Sequence, residues 1–305
     1  MRKTVFIFIL YFAICLMIPY LITIAMGGSC KGSRTTGVAN TVNPTPDMES
    51  EITDVTDNVI RTVAAYYKAG DSAEFLKALA IVVRTYENTM KGDGTGKTPA
   101  AFVPDKFTYS EMLSEWGDYY PAYYEAVSEA VLATDGISMS VQEGRMLPYF
   151  CELSAGYTRA IPDSCVIMTG CEQDLQSPDY LSIVTYSKSD VSAKIQSKYS
   201  EIKFKGEISE SIQVISRDEA GYVSEIMVGN LTLSGDEFAD ILELKSSNFM
   251  ITSGDDNMIF TVKGIGCGYG MSLNTARHKA NAGAGYEEIL YYFYKNIELK
   301  DKSSE

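Results

Sequence analysis

Hydrophobic side chains near the start of the folded part recur at steps of three and four positions, which is the spacing of one helix face. The residues that set this period are Ile52, Val55, Val59, Val63 and Tyr66. A first helix is therefore predicted over Glu51–Tyr67. A second is predicted from Ser72 through Tyr86, and a third over Pro121–Ala133, because proline suits the first turn of a helix.

From residue 137 the hydrophobic period changes to two, which is typical of strands. Residues 137–141 and 146–150 flank a Gln142-Glu143-Gly144 turn and are predicted to form a hairpin. Further strands are predicted at 211–215, 222–228, 231–233, 248–252 and 258–262. Helices are predicted after Ser234, where Glu237 has capping-box spacing, and at 272–282 and 286–294. The sequence thus predicts an α+β fold with a helical N-terminal part, a β-rich middle and C-terminal helices.

An apolar run from Thr4 to Met26 follows Met1-Arg2-Lys3 and is long enough to cross a hydrocarbon core of about 30 Å. We expect residues 1–30 to form a single-pass anchor in the cell membrane with the rest outside the cytoplasm, although small residues near its end leave cleavage open. The Gly-, Ser-, Thr- and Pro-containing residues 31–50 are predicted to be a flexible stalk. The domain then covers 51–296, and 297–305 reads as a polar tail.

Charge and composition exclude several classes of function. A net charge of -14 argues against a nucleic-acid partner, because such proteins need an excess of Lys and Arg. The single histidine, His278, leaves almost nothing from which to build a Ser-His-Asp triad or an HExxH zinc site. Acid-base chemistry therefore falls to a carboxylate, a tyrosine or a lysine.

The second predicted helix carries three charged residues in an apolar, small-residue context. At about 100° per residue, Glu74, Lys77 and Arg84 fall on one narrow stripe. They form either one polar patch for chemistry or, with Asp71 as N-cap, a capping box in which Glu74 serves only the helix end.

Residues 74–86 resemble the E-A-L-K-A-Q-A-x-A-A-R-T-Y signature of the stage II sporulation protein D family, which also contains the amidase enhancers. The likeness continues in the family's order through segments 133–136, 154–158, 217–221, 234–238, 247–249, 264–272 and 286–291. It covers about residues 51–296. Leu79, Cys267 and Leu273 stand where the family has Gln, His and Gln, which leaves a non-catalytic member open.

The resemblance implies a peptidoglycan lytic transglycosylase that acts on peptide-free glycan strands during forespore engulfment. Glu74 matches the family's catalytic acid-base residue, and Lys77 and Arg84 are expected to support its pocket. Such chemistry requires no cofactor. The implied partners are glycan strands, a peptidoglycan amidase and other engulfment membrane proteins, and the alternative is a non-catalytic, glycan-binding enhancer of an amidase.

The tract from Gly264 to Ser272 is open to two interpretations. Its alternating glycines admit close approach of another backbone or of a ligand. Gly266, Gly268, Gly270 and Ser272 are therefore candidates for a sugar-binding wall or for tight packing against a helix.

A group of aromatic residues is also open to two interpretations. Trp116 and the tyrosines at 119, 120, 123 and 124 are either a stacking surface for sugars or part of the core.

Cysteines raise the possibility of a structural metal. The resemblance implies zinc beside the active site in some family members, and Cys151 falls near their histidine. With Cys165 and Cys171 it offers thiolates for a tetrahedral structural zinc site. Disulfides, which are plausible outside the cytoplasm, and plain buried thiols remain alternatives.

Overall fold

The computed structural model describes residues 54–92 and 102–301. The predicted anchor at 1–30 and the predicted stalk at 31–50 lie outside these residues. Within 54–92 and 102–301, no helix combines the length and the hydrophobicity needed to span a membrane.

Helices come first in the described chain, strands dominate its middle, and two helices and a strand close it. The helices of the first part are α1 (Asp54–Tyr66), α2 (Ala73–Gly92), α3 (Tyr109–Trp116) and α4 (Tyr120–Leu132). The elements that follow are β1 (Ile137–Val141), β2 (Phe150–Cys151), β3 (Leu181–Ser187), α5 (Lys188–Lys198), β4 (Ile212–Arg217), β5 (Val223–Val228), β6 (Leu231–Ser234), α6 (Gly235–Ile241), β7 (Phe249–Ser253), β8 (Asn257–Lys263), β9 (Met271–Ser272), α7 (Leu273–Asn281), α8 (Tyr286–Phe293) and β10 (Ile297–Asp301). The predicted α+β class is confirmed.

The described residues pack around two hydrophobic cores. The first joins the faces of α1, α2, α4, α7 and α8, and α2 is buried on nearly all sides between residues 75 and 83. The second lies between the antiparallel sheets β3-β8-β7 and β4-β5-β6 and the helices α5 and α6. Helix α2 is therefore the central element of the first core.

The first core is closed by strands from distant parts of the chain. β1 pairs antiparallel with β10, with Met139 opposite Leu299, and β2 pairs parallel with β9. The predicted hairpin at 137–150 is therefore wrong, because the alternation of β1 fixes which face is buried but does not specify the partner strand. The predicted polar tail at 297–305 is also corrected, since residues 297–301 form β10.

One buried arginine joins the two cores. The Arg159 guanidinium donates to Asp218 Oδ2 at 2.7 Å and to Asp236 Oδ1 at 2.8 Å. It also lies between two aromatic rings, 4.9 Å from the centroid of Tyr222 and 4.2 Å from that of Tyr269. Asp218 and Asp236 belong to the elements around the second core, whereas Arg159 and Tyr269 lie beside the first core. This network therefore fixes the two cores against each other.

Candidate active site at the start of helix α2

Helix α2 begins with a serine cap. The Phe75 N–H donates to Ser72 Oγ at 3.3 Å, and the Leu76 N–H donates to the Ser72 carbonyl at 3.1 Å. Ser72 is therefore the N-cap, and Glu74 occupies the second helical position instead of the third. The predicted capping box of Asp71 and Glu74 is wrong, which leaves the Glu74 carboxylate free to bind elsewhere.

Asp71 instead forms an ion pair that ties α2 to α7. Arg277 Nε lies 2.8 Å from Asp71 Oδ1, with 5% of the Asp71 side chain and 13% of the Arg277 side chain exposed. Arg277 also donates to the Tyr66 carbonyl at 2.5 Å and covers the Phe75 ring at 4.4 Å from its centroid. This cluster holds the end of α1 and the start of α2 against α7, so it fixes the backbone from which Glu74 projects.

The Glu74 carboxylate receives one hydrogen bond on each oxygen. Lys77 Nζ donates to Oε1 at 2.8 Å, and the backbone N–H of Tyr286 donates to Oε2 at 2.9 Å. Tyr286 is the first residue of α8, so the carboxylate lies at the positive end of that helix and satisfies one of its free N–H groups. About a third of the Glu74 side chain, 36%, remains exposed to solvent.

These donors determine the charge of Glu74. The hydrogen bond from Lys77, followed by that from the Tyr286 N–H, lowers the pKa of Glu74 below its ordinary value. In this state Glu74 is ionised at neutral pH. It can accept a proton or stabilise a positive charge, and it must gain a proton before it can act as an acid.

Arg84 does not belong to this site. It lies ten residues further along α2, about 15 Å at the helical rise. Its guanidinium is buried and donates to the carbonyls of Thr134 at 2.6 Å and Val131 at 2.9 Å, at the end of α4. The prediction that Arg84 supports the Glu74 pocket is corrected: Arg84 caps a helix C-terminus.

The glycines of the 264–270 tract pack against the protein's own chain. A Cβ at Gly270 would overlap the Tyr149 carbonyl oxygen, and one at Gly268 would overlap the Tyr222 ring. A Cβ at Gly266 would come within 3.2 Å of Cys151 Cβ. The predicted sugar-binding role of Gly266, Gly268 and Gly270 is therefore corrected to close packing.

Ser272 is also occupied by an internal network. Its hydroxyl donates to Asp174 Oδ2 at 2.7 Å and accepts from the Thr275 N–H at 3.3 Å as the N-cap of α7. Asp174 is fully buried and also accepts from the Ser154 N–H, at 2.8 Å, and from Thr275 Oγ1, at 3.0 Å. The predicted role of Ser272 in substrate binding is thus replaced by a structural one, around a carboxylate that no sequence pattern indicated.

The three candidate metal ligands do not fit a zinc site. Cys151, Cys165 and Cys171 are buried, and all cysteines of the described chain are free thiols. Burial raises the pKa of Cys151 well above its ordinary value and that of Cys171 to about 11, which opposes the thiolate that zinc binds. Among residues 54–92 and 102–301, no group of three Cys, His, Asp or Glu side chains is arranged to hold a metal ion.

Comparison with known proteins gives two relatives. No family model matches the chain. The stage II sporulation protein D of Bacillus subtilis (strain 168) is 24% identical over 291 residues, which cover 89% of this chain and 82% of that protein. The stage II sporulation protein D of Bacillus amyloliquefaciens is 24% identical over 262 residues, which cover 81% of this chain and 74% of that protein.

Proposed function

The chain belongs to the stage II sporulation protein D family, as its motifs predict, and from this premise we propose that it is a lytic transglycosylase. Its proposed substrate is the peptide-free glycan strand of peptidoglycan, cut during sporulation. The observation that carries the proposal is the placement of Glu74. Its carboxylate is fixed by α2 and α8 yet remains accessible from solvent.

One carboxylate is sufficient for this reaction. Protonated Glu74 gives its proton to the glycosidic oxygen as the bond from C1 of the muramoyl residue to that oxygen breaks. The resulting carboxylate then takes the proton of the C6 hydroxyl, whose oxygen bonds to C1 and closes the 1,6-anhydro ring. The proton lost in the first step is recovered in the second, and no water is consumed. A glycoside hydrolase, in contrast, usually needs a second carboxylate.

The proposed substrate also supplies a reason for Lys77. Once a stem peptide has been removed, each muramoyl residue carries a free lactyl carboxylate, which is an ion-pair partner for an ammonium group. We propose that this carboxylate takes Lys77 away from Glu74 Oε1. Loss of that hydrogen bond and exclusion of water by the glycan would both raise the pKa of Glu74 towards that of a usable acid.

A second candidate function is a non-catalytic enhancer that binds glycan and assists a peptidoglycan amidase. The ionised state of Glu74 and its hydrogen bond to the start of α8 favour this alternative, because a carboxylate can be retained for helix capping alone. The departures at Leu79 and Leu273 do not favour it, since both side chains are fully buried in the first core.

Cleavage by the full-length chain tests the proposal. Peptide-free glycan is incubated with wild type, Glu74→Gln and the matched control Glu87→Gln, which changes a partly exposed glutamate further along α2. We expect 1,6-anhydro-muramoyl ends by mass spectrometry with wild type and the control, and a rate at least about 100-fold lower with Glu74→Gln.

Two other outcomes would contradict the proposal. Reducing ends that have gained water would mean a hydrolase with a second carboxylate. Absence of cleavage together with retained glycan binding would support the enhancer, which is then tested by stimulation of a purified amidase.

We also propose that the chain acts at the cell membrane, with its domain outside the cytoplasm, beside an amidase and other engulfment proteins. The apolar run at 4–26 supports this location. Sedimentation of the full-length chain with membranes, and its loss on deletion of residues 1–30, is the expected result. Sedimentation that survives the deletion would contradict it.

A further inference from the structure

A group of aromatic rings surrounds the start of helix α4, and we call it the aromatic platform. Its members are Tyr67, Trp116, Tyr119, Tyr120, Tyr123 and Tyr124. Trp116 is buried beneath them, with its ring centroid 5.7 Å from that of Tyr67, 5.8 Å from Tyr123 and 6.0 Å from Tyr120.

The outer rings of the platform are held in parallel pairs. Tyr119 stacks on Tyr123 at 5.5 Å with an interplanar angle of 13°, and Tyr120 stacks on Tyr124 at 5.6 Å and 19°. Tyr119 is 66% exposed, so one of its faces rests on Tyr123 while most of the ring remains in solvent. A flat ring that is already fixed from behind loses little freedom when a ligand covers it.

The platform lies at the same end of the helices as Glu74. Helices α2 and α4 pack side by side, and Arg84 in the second half of α2 contacts the carbonyls at the end of α4. Tyr67, which precedes α2, contacts Tyr123 near the start of α4. The two helices therefore run in the same direction, and Glu74 in the first turn of α2 is at the same level as the platform.

Charge restricts the ligand. Residues 107–133 contain five carboxylates, Glu111, Glu115, Asp118, Glu125 and Glu129, and no lysine, arginine or histidine. The lactyl carboxylate of a muramoyl residue, or an anionic lipid surface, would be repelled here, so only the neutral rings of a glycan strand suit this position. A neutral ring with apolar C–H faces and hydroxyl edges is not repelled, and it can pack one face on a tyrosine while its edges stay in water.

We infer that the aromatic platform is a saccharide subsite that binds neutral pyranose rings of the same strand whose bond is presented to Glu74. This inference rests on the proposed function for the identity of the strand. The role of Tyr119 differs from that of Glu74, because Tyr119 contributes to binding of the glycan and has no part in proton transfer.

The single tryptophan of the chain, Trp116, provides a direct readout, since it lies beneath the platform. The full-length chain is titrated with the hexamer of N-acetylglucosamine, a neutral probe, and fluorescence is followed. In the Glu74→Gln background, which prevents turnover, we expect Tyr119→Ala to weaken the Kd about tenfold and Tyr119→Phe to leave it within about twofold. Tyr291→Ala, at an exposed tyrosine on α8, is the matched control and should not change the Kd.

The outcomes separate this inference from the proposed function. Tyr119-dependent binding without cleavage by wild type would leave the subsite standing and overturn the transglycosylase. Cleavage whose KM is unaffected by Tyr119→Ala would overturn the subsite alone. So would a hexamer titration with no change in Trp116 fluorescence, or binding to phosphatidylglycerol vesicles that is lost in Tyr119→Ala while hexamer binding is not. An unchanged Tm for each variant shows that the fold is retained.

Discussion

The first turn and the middle of helix α2 carry charged residues, Glu74 and Arg84, that look alike in the sequence and differ in the structure. Arg84 is 3% exposed, and its guanidinium is directed at the backbone carbonyls that end α4. Glu74 is 36% exposed, and its carboxylate accepts from Lys77 and from the first N–H of α8. Both side chains cap a neighbouring helix, but only Glu74 can also be reached by a ligand.

The difference shows what distinguishes a structural charge from one capable of chemistry. A fully enclosed charge with internal partners is fixed, because a proton or a ligand cannot reach it. A charge held by two donors at the protein surface is oriented and still open to exchange of protons and partners. Access to solvent, together with the identity of the donors, assigns the two roles, whereas residue type and helical position do not.

The largest effect that tests this comparison is expected from Arg84→Met. It leaves the carbonyls of Val131 and Thr134 buried without their donor, so we expect a loss of about 3–5 kcal/mol in the free energy of unfolding. Urea denaturation measures it, with Glu74→Gln as the comparison, which should stay within about 1 kcal/mol of wild type. Equal losses for the two variants would contradict the separation of roles.

Asp71→Asn should have the next largest effect. It leaves the Arg277 guanidinium without its carboxylate, and because Arg277 keeps some contact with water we expect a loss of about 2–3 kcal/mol. Since Asp71 also fixes the start of α2, the rate of glycan cleavage should fall with it. A destabilised variant that retains the full rate of cleavage would show that the ion pair of Asp71 and Arg277 is not needed to orient Glu74.

Ser72→Ala sharpens the comparison by removing only the cap of α2. The loss should be about 1 kcal/mol, the usual value for an N-cap serine. Ser72→Asp, which keeps a capping oxygen, is the control and should restore most of it. Thermal unfolding followed by circular dichroism measures both variants. An unchanged stability of Ser72→Ala would mean that Ser72 is not the N-cap of α2.

Lys77→Met should have the smallest effect on stability, below about 1 kcal/mol, because the ion pair is partly exposed. It should still raise the pKa of Glu74, since it removes the main cause of its lowering. The stability that Glu74 contributes is present above its ordinary pKa and is lost as pH falls through the lowered value, and the variant reduces that contribution.

The activity of Lys77→Met gives the second readout. A general acid loses activity as pH rises through its pKa, so the alkaline limb of the pH profile of kcat/KM should move to higher pH. Lys188→Met, at an ion pair outside the site, should leave the pH profile unchanged. A profile that does not move in Lys77→Met would mean that Lys77 does not control the protonation of Glu74.

Much of the fold follows from local patterns. The helices over 54–66, 73–92 and 120–132 and the strands between 212 and 263 lie where the hydrophobic periods predict them, and Ser234 caps α6 as its spacing indicates. The partner of β1 could not be predicted, because the residues of β10 that complete its ladder are far away in the sequence: Met139 lies opposite Leu299, 160 positions further on. Periodicity reports burial within one element and carries no information on which distant element covers it.

The candidate site, like the fold, could be predicted only in part from the sequence. The proximity of Glu74 and Lys77 follows from helical spacing, since residues three apart share a face. The N–H of Tyr286 has no signature, because every residue except proline carries that donor. The pairing of Asp71 with Arg277 spans 206 positions, and the interpretation of the α2 stripe as one patch was wrong for Arg84 because a stripe on a helix can continue into the core.

The hydrogen bond from Tyr286 to Glu74 joins residues 212 positions apart, and this separation has a consequence for the order of events in folding. Contacts between distant residues close large loops and therefore form slowly and late. A chain that has made α2 but has not yet docked α8 possesses the carboxylate without its orientation. The orientation of this carboxylate is thus a property of the finished molecule, because it is complete only after α8 has been synthesised and has docked against α2.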